Sequence, residues 1–392
     1  MKKFVLLSLL SFGISLLYAP ELNSQVVIPI KDNLHNAKTI HLSEIASDVT
    51  FVPLETTDDC LLGNDCYIQY VDGQIFVSSD ILYRFDGKTG KFLNKIGSKG
   101  QGPGEYLNSF RYTVNPVTKR IYVLQFKDML EYDYDGKYLR TLPADNHNVG
   151  TCCMLNENQL LYANDAYNNT VENLAPQLYT VDLQKGKIVG KIASPVEKKL
   201  RGALNLSSFD FFYPYKGQVY FKGSFQDEIY LVQSPKKKVA AYVCDRGYLK
   251  AGYDKKNAEI DPRNRMKGIQ IQNIFETDKY LLLSYVYEKN SYQGVFDKAD
   301  HSFVNAVTGE GKAGLENDLI SAPAVYIAPF QISPDGIIVN AINAGYLSEH
   351  RKDFKIANPG LPFREAEWNR MLDSLTEDSN PVIILIAVKP GN

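Results

Sequence analysis

The residues with metal-binding or nucleophilic chemistry are few and scattered. The five histidines are His35, His41, His147, His301 and His350, and no two of them stand at the spacing of a metal-ligand pair. The five cysteines are Cys60, Cys66, Cys152, Cys153 and Cys244, an odd number that gives no complete disulfide framework. Cys60 and Cys66 are near enough to pair across a tight loop. Cys152 and Cys153 are adjacent, so they point to opposite faces of any strand they occupy and read as apolar strand residues. No Gly-x-Ser-x-Gly elbow is present, so there is no sign of an α/β-hydrolase nucleophile.

Three further segments invite a chemical reading. Gly97-Ser-Lys-Gly-Gln-Gly-Pro-Gly-Glu105 is rich in glycine, but it lacks the Gly-Lys-Ser/Thr core of a phosphate-binding loop and runs on into apolar sequence. Gly309 to Gly314 fails the same pattern, because Gly311-Lys312 is followed by Ala313. Both read as linkers between repeated units, where glycine permits positive φ. Glu131-Tyr-Asp133-Tyr-Asp135-Gly136 resembles the start of a calcium loop. The twelfth position, which needs a bidentate Glu, is Leu142, and Asp135-Gly136 matches Asp86-Gly87 one repeat earlier, so the segment reads as a hairpin turn. Lys236-Lys-Lys238 reads as a solvated turn after Gln233-Ser-Pro.

The elements that would position such groups form a repeat. Each unit is four short apolar or alternating strands with tight Gly, Asp, Asn or Lys turns. The clearest copy, residues 66–97, reads CYIQYV, Asp-Gly, QIFVSS, LYRFD, GKTG and KFLNKIG. The second strands begin near Ile75, Ile121, Leu160, Val219, Tyr280 and Ile337, at spacings of 46, 39, 59, 61 and 57 residues. Six four-stranded antiparallel blades around an axis bury both faces of every sheet, so the fold class is all-β, a six-bladed β-propeller. The sixth unit has IIVNAI and VIILIAV but no fourth strand. The segment VTFVPLE, residues 49–55, has no partner in the first unit, and it is predicted to close the last blade as its outer strand. Between those two sixth-unit strands, Trp368, Met371, Leu372 and Leu375 share one face at helical period, which predicts a short helical insertion in blade six.

The N-terminus frames this domain. Lys2 and Lys3 precede an apolar run from Phe4 to Ala19, too short to span a membrane comfortably, so residues 1–24 read as a signal peptide. Residues 25–48 then form an N-terminal extension, 49–392 the propeller, and the mature chain has no transmembrane segment. No cysteine follows the apolar run as a lipid anchor would require. The expected location is exported, periplasmic or extracellular. Net charge is −2 with no basic stripe, which argues against nucleic acid. The 26 tyrosines against one tryptophan suit half-buried strands and wet binding surfaces.

HLSEIASDVTFVPLE, FDGKTGKFLNKIGSKGQGPGEY and the terminal DSNPVIILIAV together resemble the six-bladed β-propeller lipoprotein-like proteins of Bacteroidetes, distant relatives of NHL-repeat propellers. The resemblance spans nearly the whole mature chain, with Gly100 to Tyr106 its most specific part. It implies a fold and an envelope location, not a reaction. Many members carry a lipoprotein cysteine; this sequence has none there. NHL-like enzymes hold a metal with acidic or histidine side chains in the axial channel. Polar residues on first strands here are Gln69, Arg111, Asp210, Gln272 and Gln331, which are the candidate ligand-binding positions. Each also suits the plainer role of satisfying hydrogen bonds in a wet channel. The expectation is a binding or scaffold module touching protein or glycan through a loop face, with no cofactor. The alternatives are a lyase or hydrolase with an axial calcium or other divalent metal, and a purely structural or sensory envelope component.

Overall fold

Two-residue turns that demand positive φ fold the first pairs of strands back on themselves. Asp72 and Gly73 (φ 57° and 67°) join Tyr67–Val71 to Gln74–Ser78, and Lys216 and Gly217 (φ 50° and 70°) join Phe211–Tyr215 to Gln218–Lys222. Such left-handed pairs match the twist of a β-hairpin. The computed structural model describes residues 25–63, 65–125, 128–144, 149–164, 176–193, 210–250, 252–254, 259–260, 267–318, 325–327, 331–353 and 365–391. The signal-peptide reading of 1–24, and His147, lie outside them.

The described strands form six radial blades. Blade one is Tyr67–Val71, Gln74–Ser78, Leu82–Asp86 and Phe92–Ile96, each antiparallel to the next. Blade two runs from Tyr112 to Pro143, blade three from Val149 to Ile192, blade four from Phe211 to Cys244 and blade five from Gln270 to Val307, with the same strand order. The first strands of successive blades lie side by side around the axis, as in the neighbouring pairs of blades two and three, three and four, and four and five. A buried apolar cluster fills each of the six blade-to-blade interfaces, including that between blades six and one, where Val52, Val339, Ile383 and Leu385 meet Ile68, Ile75, Val77 and Phe85. Six interfaces between six sheets close a ring.

Blade six is closed from both chain ends. Val382–Val388 pairs on one side with Ile337–Ile342 and on the other with Ala46–Pro53, placing Phe51 directly opposite Ile384. This is the closure expected from the unpartnered early strand. One detail differs from the expected blade. The first strand, Gln331–Ile332, pairs in parallel with Ile68 and Gln69 of blade one instead of completing the sixth sheet through its backbone. Its link to its own blade is the Gln331 side chain. With the amide turned to satisfy both partners, its nitrogen donates to the Val339 carbonyl at 2.6 Å and its oxygen accepts from the Ala341 N–H at 3.1 Å. The insertion contains a helix, Glu365–Ser374, whose Trp368, Met371 and Leu372, with Leu375 just beyond it, pack against Leu347 and Val382. Trp368 also meets Phe51 at 4.6 Å between ring centroids.

The N-terminal segment is woven into the ring. Val26–Ile28 adds in parallel to the outer strand of blade four, Ala37–Thr39 adds in parallel to that of blade five, and Ala46–Pro53 is the outer strand of blade six. The outer strands of blades four and five are thereby covered, and blade six gains its outer strand. All five cysteines are free thiols, so the Cys60–Cys66 pairing does not form. Cys60 is buried and its thiol donates to the Glu55 carbonyl at 3.1 Å, while the Cys66 thiol, pushed up to about 11 by burial, donates to the Gly63 carbonyl at 3.3 Å.

Candidate functional site: the long-connection end of the ring and the interface between blades three and four

In an antiparallel blade the turns between strands one and two and between three and four share one end of the sheet. Connections between strands two and three, and from one blade to the next, leave from the other end. No turn of the first kind within a blade exceeds five residues, whereas connections 54–66, 97–111, 165–177, 193–210, 245–269, 308–330 and 343–381 all leave from the second. The second end also carries exposed apolar residues: Leu61, Leu107, Tyr248 and Tyr346. One end of the ring is therefore trimmed to tight turns, and the other carries every long connection.

The glycine-rich linkers are structural. Tyr106 is fully buried between blades one and two, where its hydroxyl donates to the Ile96 carbonyl at 2.8 Å and accepts from the Leu82 N–H at 3.1 Å. The Glu105 carboxylate accepts from the Gly102 N–H at 2.8 Å and folds the loop onto itself. Glu316 does the same for Gly309 at 2.7 Å after blade five. The calcium-like segment is a hairpin: the Gly136 N–H bonds the Asp133 carbonyl at 3.0 Å, and buried Glu131 accepts from Arg140 Nε at 2.5 Å. His41 caps a short helix, His301 occupies a turn with φ 62°, and His350 stacks on Tyr346. Among the described residues no three His, Cys, Asp or Glu side chains converge as metal ligands.

The five first-strand candidates do not gather at one point. Gln69 is buried, and its amide nitrogen donates to the Tyr112 carbonyl of blade two at 2.8 Å. Gln331 is spent on blade six, as above. The two are neighbours, because Ile332 is the register partner of Gln69. Arg111 is exposed, with its carbonyl accepting from the Leu124 N–H at 2.8 Å, and Gln272 is half-buried in the first strand of blade five.

Asp210 differs from the other four. It precedes the first strand of blade four and is 7% exposed. One carboxylate oxygen, Oδ1, accepts from both the N–H and the hydroxyl of Ser224 at 2.8 Å, while Oδ2 has no hydrogen-bond partner among the described residues. Burial pushes its carboxyl above the usual carboxylate range, opposed by those two bonds and by the Lys222 and Lys238 charges. Ser224 lies in a turn, Gly223 to Asp227, held by fully buried Arg246. That guanidinium donates to the Ser224, Gln226 and Ile269 carbonyls at 3.2, 2.7 and 3.1 Å and to Asp227 Oδ1 at 2.9 Å. Lys222, 1% exposed, donates to the Gly223 carbonyl at 2.8 Å and to that of Gln226, and burial lowers its pKa to about 8.

Sequence reasoning missed the partners of Asp210. Lys238 is not the solvated end of a basic turn. Lys236 lies exposed in the turn, and in the strand that follows alternation leaves Lys237 exposed and turns Lys238 into the interface. There its ammonium lies 4.0 Å from the Tyr230 ring centroid and donates to Gln177 Oε1 of blade three. Gln226 is 7% exposed, and both its amide oxygen and its amide nitrogen lack partners among the described residues. The available signal was Lys222 itself, a charge inside the otherwise apolar second strand VYFKG.

Two comparisons place this architecture. The signature of the family Domain of unknown function (DUF4934) matches residues 25–387. A Bacteroides fragilis protein assigned as exported superposes with a TM-score of 0.64 at 18% identity, covering 93% of this chain and 99% of that one. A DUF4221-family protein of Bacteroides vulgatus reaches a TM-score of 0.49 at 13% identity, covering 88% and 97%. Among curated proteins nothing matches the chain. At 18% identity the Bacteroides fragilis superposition bears on fold alone. No helix among the described residues is long and apolar enough to cross a membrane.

Proposed function

The chain belongs to the DUF4934 family, and from its geometry we propose that it is an exported binding or scaffold module that engages a protein or glycan ligand with the long-connection end of its ring. The observation that carries this reading is the asymmetry of the two ends. Binding surfaces are built from connections on a rigid scaffold, and here all the variable length is at one end. The exported character of the Bacteroides fragilis relative supports the location. The axial-metal alternative needs a convergent donor set, and none is found among the described residues.

The test uses three exposed apolar residues, two at the long-connection end and one at the tight-turn end. Residues 25–392 are screened on a glycan array and against envelope proteins, and any ligand found is re-measured with Leu107→Asp and Tyr248→Ala, at the long-connection end, and with Val117→Asp, at the tight-turn end. We expect at least one long-connection variant to weaken binding about tenfold, equal to about 1.4 kcal/mol, with Val117→Asp unchanged. Loss of binding only in Val117→Asp would overturn the reading, as would a screen that returned no ligand.

A further inference from the structure

The described chain before Ala46 supplies no blade with one of its four strands, yet it holds two of the long connections. Blades four and five each have four antiparallel strands of their own, so Val26–Ile28 and Ala37–Thr39 are additions to complete sheets. Both short strands pair with the last three residues of an outer strand, Tyr242 to Cys244 in blade four and Asn305 to Val307 in blade five. Connections 245–269 and 308–330 begin at the very next residue. The same arrangement thus occurs twice, each time where a long connection leaves the ring.

At both places the polar contacts run on into the connection. The Asp245 N–H donates to the Ile28 carbonyl and the Lys31 N–H to the Asp245 carbonyl, each at 2.9 Å. The Glu316 N–H donates to the Ile40 carbonyl and the Leu42 N–H to the Glu316 carbonyl, each at 2.8 Å. Asp318 accepts from the Ser43 N–H at 2.9 Å and from the Ser43 hydroxyl. Apolar side chains then join the two feet of each connection. Ile28, Ile30 and Leu34 share one buried cluster with Ile269, at the far foot of 245–269, and with half-buried Leu249. Ile40, Leu42 and Ile45 share another with Leu315, Val325 and Ile327 of 308–330. Over these footings each connection bonds to itself. The Ile269 N–H donates to the Leu249 carbonyl at 2.6 Å, and Leu315 and Val325 exchange N–H to carbonyl bonds at 3.0 and 3.1 Å.

We propose that residues 25–45 are a positioning strap for the binding end. Docked, the strap holds connections 245–269 and 308–330 in one arrangement; undocked, it frees both while Ala46–Pro53 keeps the ring closed. This rests on the binding-module reading and adds how that surface is set. The physical reason is that a connection has no sheet to order its backbone, so its arrangement depends on groups that another segment supplies. The strap can supply them because it is itself fixed to a sheet. Buried Asn305 of blade five donates its amide to the Asn33 and Leu34 carbonyls, both at 2.9 Å.

The experiment is hydrogen exchange, read amide by amide with mass spectrometry, on residues 25–392 and on a chain that begins at Ala46. The Ile269, Leu315 and Val325 amides are the readout, because they bond within the connections and not to the strap. In the shortened chain they should exchange about tenfold faster or more, while amides of Gln74–Ser78 and Arg120–Leu124 in blades one and two keep their protection. A peptide of residues 25–45 added in trans should restore the slow exchange. Two point variants of the full strap carry the test if the shortened chain does not fold. Ile28 and Leu42 are both fully buried, and each belongs to one footing. Ile28→Ala should speed Ile269 alone, and Leu42→Ala should speed Leu315 and Val325 alone. Unchanged exchange at all three amides in the shortened chain would overturn the proposal. So would point variants that speed the blade amides as much as the connection amides, since the strap would then belong to the core of the ring. These measurements need no ligand. Their failure leaves the binding-module reading standing, and an empty ligand screen leaves the hold on the connections intact.

Discussion

Single side chains in this molecule either lock blades together or stand apart from the locking. Asn380 is of the first kind. It is 2% exposed; its amide nitrogen donates to the Glu55 and Cys60 carbonyls at 2.6 and 2.7 Å, and its amide oxygen accepts from the Leu62 N–H at 2.9 Å. It therefore pins the connection from blade six to blade one. Asn380→Ala leaves the buried Cys60 carbonyl and the half-buried Leu62 N–H without this amide, while the Glu55 carbonyl keeps the Cys60 thiol, and urea unfolding should register a loss of about 1–3 kcal/mol. Asp210 is of the second kind, and pH reveals it. Its folded pKa lies above the unfolded value, so the folded chain holds that proton more tightly. The stability so gained is present below the unfolded carboxylate pKa and is lost as pH rises through the raised value. Asp210→Asn removes this loss. Urea midpoints from about pH 3 to about pH 7 should converge at the acidic end, and at neutral pH the variant should equal or exceed its parent, by about 1.4 kcal/mol for each pKa unit of the shift. A variant less stable than its parent at neutral pH would contradict this assignment of the raised carboxyl.

At the scale of elements, the strands were legible and their docking was not. Alternation with Asp-Gly and Lys-Thr-Gly turns marks Tyr67–Ile96 because hairpins impose local rules on sequence. The closing pair of Phe51 and Ile384 was legible for another reason, since a strand without a partner and a sheet without an edge strand imply each other. Val26–Ile28 and Ala37–Thr39 carry no such mark. Three-residue parallel strands take their register from edges more than two hundred residues away, and no local pattern records that. Lys238 was misread because a strand places successive residues on opposite faces, so a run of three lysines need not stay in water. Gln226 was invisible because only packing shows that an amide is unpartnered. Turns between the third and fourth strands of a blade serve as clasps on the preceding blade. The Gly97 N–H bonds the Gly136 carbonyl at 3.1 Å, and a Cβ on Gly136, at φ 85°, would fall 2.1 Å from the Lys95 carbonyl oxygen. Gly217 has a similar φ of 70° with nothing within 4 Å. Gly217→Ala should therefore cost about 1 kcal/mol of backbone strain, and Gly136→Ala clearly more, about 2–4 kcal/mol, when both are unfolded in denaturant.

At the scale of the whole molecule, the chain passes outside blades four, five and six before it begins blade one, so its first described residues and its last blade are one structural unit. The ring is stable because every sheet face meets another, and because the N-terminal segment covers the outer strands of blades four and five and completes blade six. A rigid ring closed in this way can hold long connections at one end without unfolding its sheets, and the binding-module reading depends on that property. The direct test is thermal unfolding of a chain that begins at Leu54, compared with one that begins at Gln25. Removing Ala46–Pro53 strips the outer strand from blade six and opens its interface with blade one. The account predicts loss of the single cooperative transition, or a fall in Tm of about 10 °C or more, with recovery when a peptide of residues 25–53 is supplied in trans. A shortened chain that unfolds cooperatively at the Tm of the longer one would contradict it.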